Sequence, residues 1–116
     1  MDRRVRTQVA IIGAGPAGLM LAMLLRRHGI DSVVVERRSR EYVEARIRAG
    51  VLEQVTVDLL REVGAAGRME REGLAHHGFS LGLDGETFRI DLHGLTGGKS
   101  VTVYGQIGRA SCRERV

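Results

Sequence analysis

A chain of 116 residues, 43% hydrophobic and 28% charged, reads as one soluble globular domain of modest size. Its apolar runs are too short to span a bilayer, and 3% aromatic content leaves no stacking platform for single-stranded nucleic acid. The net charge of +4 is uneven: Arg109, Arg113 and Arg115 against Glu114 place +2 of it in the last ten residues, so the body is close to balanced. One cysteine excludes an intrachain disulfide and fits a reducing cytoplasm. Met1-Asp2-Arg3-Arg4, leading straight into a strand, leaves no room for a secretion signal.

The first strand is Val9-Ala10-Ile11-Ile12, an unbroken apolar run expected of a central parallel strand buried on both faces. Gly13-Ala14-Gly15-Pro16-Ala17-Gly18 follows as a G-x-G-x-x-G. The first glycine permits the tight turn, the second lets backbone approach a pyrophosphate, and the third lets the helix sit close to the strand. Pro16, the only proline, suits the first helical turn, where a missing N–H is harmless. Residues 19–25 carry the helix, Arg26-Arg27-His28 place positive charge in its last turn, and Gly29 ends it. A second strand, Val33-Val34-Val35, closes on Glu36, 18 residues after Gly18. Strand, glycine turn, helix, strand and terminal acid agree on a dinucleotide site. The helix N-terminus would hold the pyrophosphate and the Glu36 carboxylate the adenosine ribose hydroxyls.

Arg37-Arg38-Ser39-Arg40-Glu41-Tyr42 is a basic segment, readable as a solvated loop or as a contact for phosphate. Arg46-Ile47-Arg48-Ala49-Gly50-Val51 suits an extended segment that sends two guanidinium groups to one side as a phosphate clamp. Residues 51–63 predict an amphipathic helix with Leu52, Val55, Leu59, Leu60 and Val63 on its apolar face, stopped by Gly64. A short helix is expected over 65–72. His76-His77 has no cysteine or third histidine nearby at metal spacing, so no metal site is expected. Phe79, Leu81, Leu83 and then Phe88, Ile90, Leu92 alternate around Asp84-Gly85, predicting a hairpin with a two-residue turn. Thr96-Gly97-Gly98-Lys99 reads as a loop and 100–104 as a further strand, with Gln106 at an exit where open α/β sheets place ligands.

Residues 107–116, IGRASCRERV, have neither helical nor strand periodicity. The string is similar to the translation of a common sequencing adapter. It is expected to be foreign to the gene, leaving 1–106 as the N-terminal part of a longer protein. The alternative is a basic arm that grips nucleic acid.

Over residues 8–106, QVAIIGAGPAGL, VVVER, RIRAGVLEQ, VDLLREVG and GGKSVTVYGQ occur in an order and spacing that resembles the opening part of the 4-hydroxybenzoate 3-monooxygenases. That family belongs to the class A, FAD-dependent aromatic hydroxylases. The first stretch is shared by many flavoproteins; RIRAGVLEQ and VTVYGQ are much narrower. The resemblance implies an α/β fold: the incomplete N-terminal portion of a Rossmann-like βαβ FAD-binding domain, with an inserted β-hairpin. It implies FAD as cofactor, with Gly13, Gly15, Ala17 and Gly18 around the pyrophosphate and Glu36 on the ribose. Arg46, Ile47, Arg48, Ala49, Gly50 and Val51 would line the flavin, Arg48 reaching toward the pyrophosphate, and Gln106 would also touch FAD. Arg37, Arg38, Tyr42 and Arg46 fall in the region such enzymes use for NADPH, and Arg38 and Arg40 add positive charge there.

The implied reaction is hydride transfer from NADPH to FAD, then hydroxylation of 4-hydroxybenzoate by O2 to 3,4-dihydroxybenzoate. Substrate-binding residues and a second flavin motif lie in the family's later regions. No catalytic residue is therefore assigned here, and the chain alone is not expected to turn over. Partners implied are the aromatic substrate and a second copy in a homodimer, with neither nucleic acid nor membrane. Two alternatives stand: another FAD- or NAD(P)-dependent oxidoreductase, and a non-catalytic nucleotide-binding module. The third reading predicts a sharp unfolding transition; a fragment predicts exposed sheet edges and unburied apolar faces.

Overall fold

The computed structural model describes residues 4–46 and 50–104; the expectations for Ile47, Arg48, Ala49, Gln106 and 107–116 fall outside the described residues. Two compact units divide the chain, one holding residues 4–46 and the other 50–104.

In the first unit, β1 (Val9–Ile12) and β2 (Ser32–Val35) pair in parallel, Val9 opposite Ser32 and Ile12 opposite Val35. Between them runs α1 (Pro16–Arg27), with Pro16 in its first turn and Arg26 and Arg27 in its last. The chain leaves α1 through His28 and through Gly29 at φ +70, a left-handed conformation that glycine adopts without penalty. Leu19, Ala22 and Met23 recur at three and four along α1 and are buried, as is Ile11 of β1.

The expectation of a strand buried on both faces is corrected here. Only Ile11 is buried in β1, and Ile12 is 83% exposed. The sheet of this unit has two strands, and side chains of successive residues point to opposite faces, so α1 covers one face and leaves the other open. The basic segment is also more ordered than a solvated loop. Ser39 caps α2 (Arg40–Ala45), its hydroxyl accepting the Tyr42 amide, and Arg40 pairs with Glu44 one turn on.

In the second unit, β3 (Val51–Glu53), β4 (Leu74–His76) and β7 (Val101–Val103) form an antiparallel sheet in the order β3-β7-β4. Residues 51–53 therefore belong to a strand, and the helix expected from 51 starts later, as α3 (Gln54–Glu62). Pairing with β7 supplies the ladder that holds them extended, a long-range contact that local periodicity cannot register. Leu52 and Leu60 are buried as the apolar pattern requires, whereas Val55 is 63% exposed and Val57, outside the expected face, is buried in its place. A short α4 (Gly67–Glu72) follows, with Met69 buried and Arg61 of α3 bonded to Glu70 at 2.6 Å. The strand over 101–103 pairs antiparallel with β3 and β4, where the sequence suggested an open parallel sheet.

The hairpin is β5 (Phe79–Leu83) and β6 (Glu86–Ile90), with Asp84 (φ 50) and Gly85 (φ 78) in its turn. Two consecutive positive φ values match the twist of the flanking strands. Leu92 falls outside β6: Asp91 accepts the Gly94 amide and starts the brief α5 (Leu92–Leu95). Phe79, Leu81, Leu83 and Phe88 are each at least 43% exposed, which gives the hairpin an uncovered apolar face. His77 and His93 stack with ring centroids 4.6 Å apart. Among the described residues no three metal-ligating side chains converge, and no helix is long and apolar enough to cross a membrane.

Candidate functional site

The β1–α1 turn shows why each of its glycines is needed. Gly13 takes φ +111, a region closed to most side chains. Gly15, the N-cap of α1, is extended and gives no side-chain cap, and a Cβ built on it meets nothing within 4 Å. The space beside the turn is therefore open to a ligand. A Cβ on Gly18 would strike the Gly13 carbonyl oxygen, so the third glycine sets how closely helix and strand approach. The first-turn amides of α1 lack intrahelical partners, no acidic residue sits there, and the helix dipole favours an anion.

Glu36 stands at the exit of β2, facing that turn. Its Oε2 accepts the Ala14 amide at 2.8 Å and its Oε1 the Arg38 amide at 3.0 Å. These bonds hold the carboxyl below its ordinary pKa, the Ala14 amide most of all and the Arg38 amide next. Partial burial opposes the shift, while the Arg37 amide and charge assist it.

Beside the turn is a hollow of about 160 Å³ lined by Gly15, Glu36, Arg37, Arg38, Tyr42, Val43 and Arg46. Three guanidinium groups against one carboxylate make it cationic. Tyr42 organises two of them: the Arg38 guanidinium lies over its ring at 4.9 Å, and Arg46 Nη1 donates to its hydroxyl at 2.8 Å. Residue-type reasoning overlooked two contributors, Ala14, through its amide, and Val43. Ser39 ahead of the Arg40–Glu44 pair was the available signal for the helix that carries Val43.

Gly13, Gly15, Ala17, Gly18, Glu36, Arg37 and Arg46 thus all belong to one unit, around the turn and the hollow. Gly50 and Val51 belong to the other, where the Gly50 carbonyl accepts the Tyr104 amide at 2.7 Å and Val51 is exposed in β3.

A parallel β-α-β crossover with a three-glycine turn and an acid at the second strand's exit defines a dinucleotide-binding protein. The FAD binding domain model matches residues 6–108, and the chain belongs to that family. It is 55% identical over 102 residues to p-hydroxybenzoate hydroxylase of Acinetobacter baylyi, covering 88% of this chain and 25% of that one. Over 71 residues it is 41% identical to 3-(3-hydroxy-phenyl)propionate/3-hydroxycinnamic acid hydroxylase 2 of Burkholderia vietnamiensis, covering 61% of this chain and 13% of that one. Among solved structures it is similar to P. aeruginosa PqsL, crystallised with 2-aminobenzoylacetate. There the TM-score is 0.81 at 26% identity, covering 94% of this chain and 30% of that one. The chain thus spans a quarter or less of the two hydroxylases it matches. The residues present fit FAD: the turn leaves open space beside Gly15 for a pyrophosphate, and the Glu36 carboxylate stands next to that turn.

Proposed function

We propose that this chain is the N-terminal part of a cytoplasmic, FAD-dependent monooxygenase that converts 4-hydroxybenzoate to 3,4-dihydroxybenzoate with NADPH and O2. The observation that carries the reading is the 55% identity to a p-hydroxybenzoate hydroxylase across both described units. The cationic hollow beside a fitted FAD turn supports it.

FAD, when bound, would supply the redox chemistry, that of nicotinamide oxidation and O2 activation. The work of this chain's own residues is binding and orientation. Gly13, Gly15, Ala17 and Gly18 present backbone to the pyrophosphate, and Glu36 accepts from the ribose. By the resemblance to the hydroxylases, contacts to the flavin are assigned to Arg46 through Val51 and to Gln106. Arg37, Arg38, Tyr42 and Arg46 form a phosphate-sized cationic hollow for the incoming nicotinamide cofactor. Residues 1–106 belong to the enzyme and 107–116 to adapter sequence, which re-reading the DNA at the 3′ end decides.

The test is purification of the full-length parent. It should emerge yellow and form 3,4-dihydroxybenzoate from 4-hydroxybenzoate as NADPH is consumed. A parent that is colourless and stays so when FAD is added back overturns the proposal.

A further inference from the structure

The end of β2 is fastened to the glycine turn at two adjacent points. The Gly13 amide donates to the Val35 carbonyl at 2.8 Å, and the next amide, Ala14, donates to the Glu36 carboxylate at 2.8 Å. The same carboxylate accepts the Arg38 amide at 3.0 Å, so one side chain spans from the turn to the segment leading into α2. A carboxylate has about four lone-pair sites, and these two amides use one on each oxygen, which leaves acceptor capacity for ribose hydroxyls.

From this geometry we infer that Glu36 is a positioning residue for the pyrophosphate as well as a ribose acceptor. Its carboxylate staples Ala14 to the exit of β2 and holds the turn's backbone in shape for an anion before any sugar is bound. The inference rests on the reading that this turn takes the pyrophosphate of FAD. It adds that Glu36 acts on a group it never touches. Preorganisation of this kind spares the turn an ordering step on binding. The hydrogen bonds that form the staple also lower the pKa of the carboxyl, since the ionised form is the stronger acceptor of both amides.

The neutral isostere breaks the staple in a defined way. In Glu36→Gln one acceptor oxygen becomes an NH2 group facing a backbone N–H, so at most one of the two amide bonds survives. Two probes separate the roles: ADP, which carries both pyrophosphate and ribose hydroxyls, and 2′,3′-dideoxy-ADP, which keeps the pyrophosphate and lacks the hydroxyls. Calorimetric titration of the full-length parent, stripped of FAD, and of its Glu36→Gln variant should give weaker binding of both probes in the variant. A loss of roughly three- to tenfold, one hydrogen bond's worth, is expected for the dideoxy probe. An unchanged affinity for dideoxy-ADP beside a loss for ADP means that Glu36 serves the ribose alone, and the inference is wrong. A full-length parent that binds FAD, ADP and the dideoxy probe not at all removes the dinucleotide reading itself, and this inference with it.

Amide exchange in the unmodified full-length parent, stripped of FAD, provides a second arm that needs no variant. Ala14 and Arg38 should exchange at least tenfold more slowly than the same residues in an unstructured peptide. Exchange of Ala14 at the unstructured rate would overturn the inference whatever the variant does.

Discussion

Gly18 lies so close to Gly13 that a Cβ on Gly18 would collide with the Gly13 carbonyl oxygen, and it would also come within 3.3 Å of Ile11 Cγ2. Backbone cannot swing aside as a flexible side chain can, so α1 would have to lift away from β1. Gly18→Ala should lower stability by roughly 1–3 kcal/mol, seen as a reduced urea midpoint, and weaken FAD binding in parallel. Gly13→Ala should be destabilising by a similar amount for a different reason: open space surrounds it, but φ +111 is strained for alanine. An unchanged midpoint in either variant would contradict the account of the turn.

Acid should weaken the fold through two carboxylates. Glu36 and Glu70 both sit below their ordinary value of 4.5, the first through the Ala14 amide and the second through the Arg61 side chain. A folded-state pKa below the unfolded one contributes stability that is complete above the unfolded value and is lost as pH falls through the folded one. Urea midpoints should therefore drop below about pH 4.5, and Glu70→Gln should make that drop shallower. A variant with the same acid limb as wild type would rule out the Arg61–Glu70 pair as a contributor.

Helix α3 offers a contrast on a single element. Leu60 is 5% exposed and Val55 is 63% exposed. Leu60→Ala should lower stability by about 2–5 kcal/mol, since it removes transfer energy and leaves a cavity. Val55→Ala should stay within about 0.5 kcal/mol. Equal losses in chemical denaturation would mean that the helix is turned differently from the described arrangement.

The cationic hollow can be tested in the full-length parent. Arg46→Met removes a guanidinium held by Tyr42 and should raise KM for NADPH roughly tenfold or more, the worth of a charge-assisted hydrogen bond. KM for NADH, which lacks the 2′-phosphate, should change less. Equal changes for both cofactors would separate this hollow from phosphate recognition.

Exposed apolar side chains on the hairpin make a solubility prediction. Leu81 and Leu83 are 50% and 65% exposed. Replacing both with lysine should reduce binding of a hydrophobic dye by the chain and leave its urea midpoint within about 1 kcal/mol. A large fall in the midpoint would show that the hairpin face is covered.

Local physics made the β1–α1–β2 crossover legible in the sequence. A four-residue apolar run, three glycines with distinct steric duties and a proline at the first helical turn each act within a few residues of themselves. The Asp84-Gly85 turn was readable for the same reason, since two consecutive positive φ values are a property of the dipeptide. The Arg40–Ala45 helix was signalled by its serine cap, yet six residues are too few for periodicity to speak.

What the tertiary structure alone decided depends on partners far along the chain. Residues 51–53 became a strand because β7, some fifty residues later, pairs with them, while their apolar pattern is equally compatible with helix. Ile12 and Val55 lie exposed because burial requires a neighbouring element to cover them, and hydrophobicity by itself does not provide one. The acid at Glu36 was legible as a ribose acceptor. Its grip on the Ala14 amide, 22 positions away, appears only once the crossover brings the end of β2 up to the turn, because a hydrogen bond acts over about 3 Å of space whatever the separation in sequence.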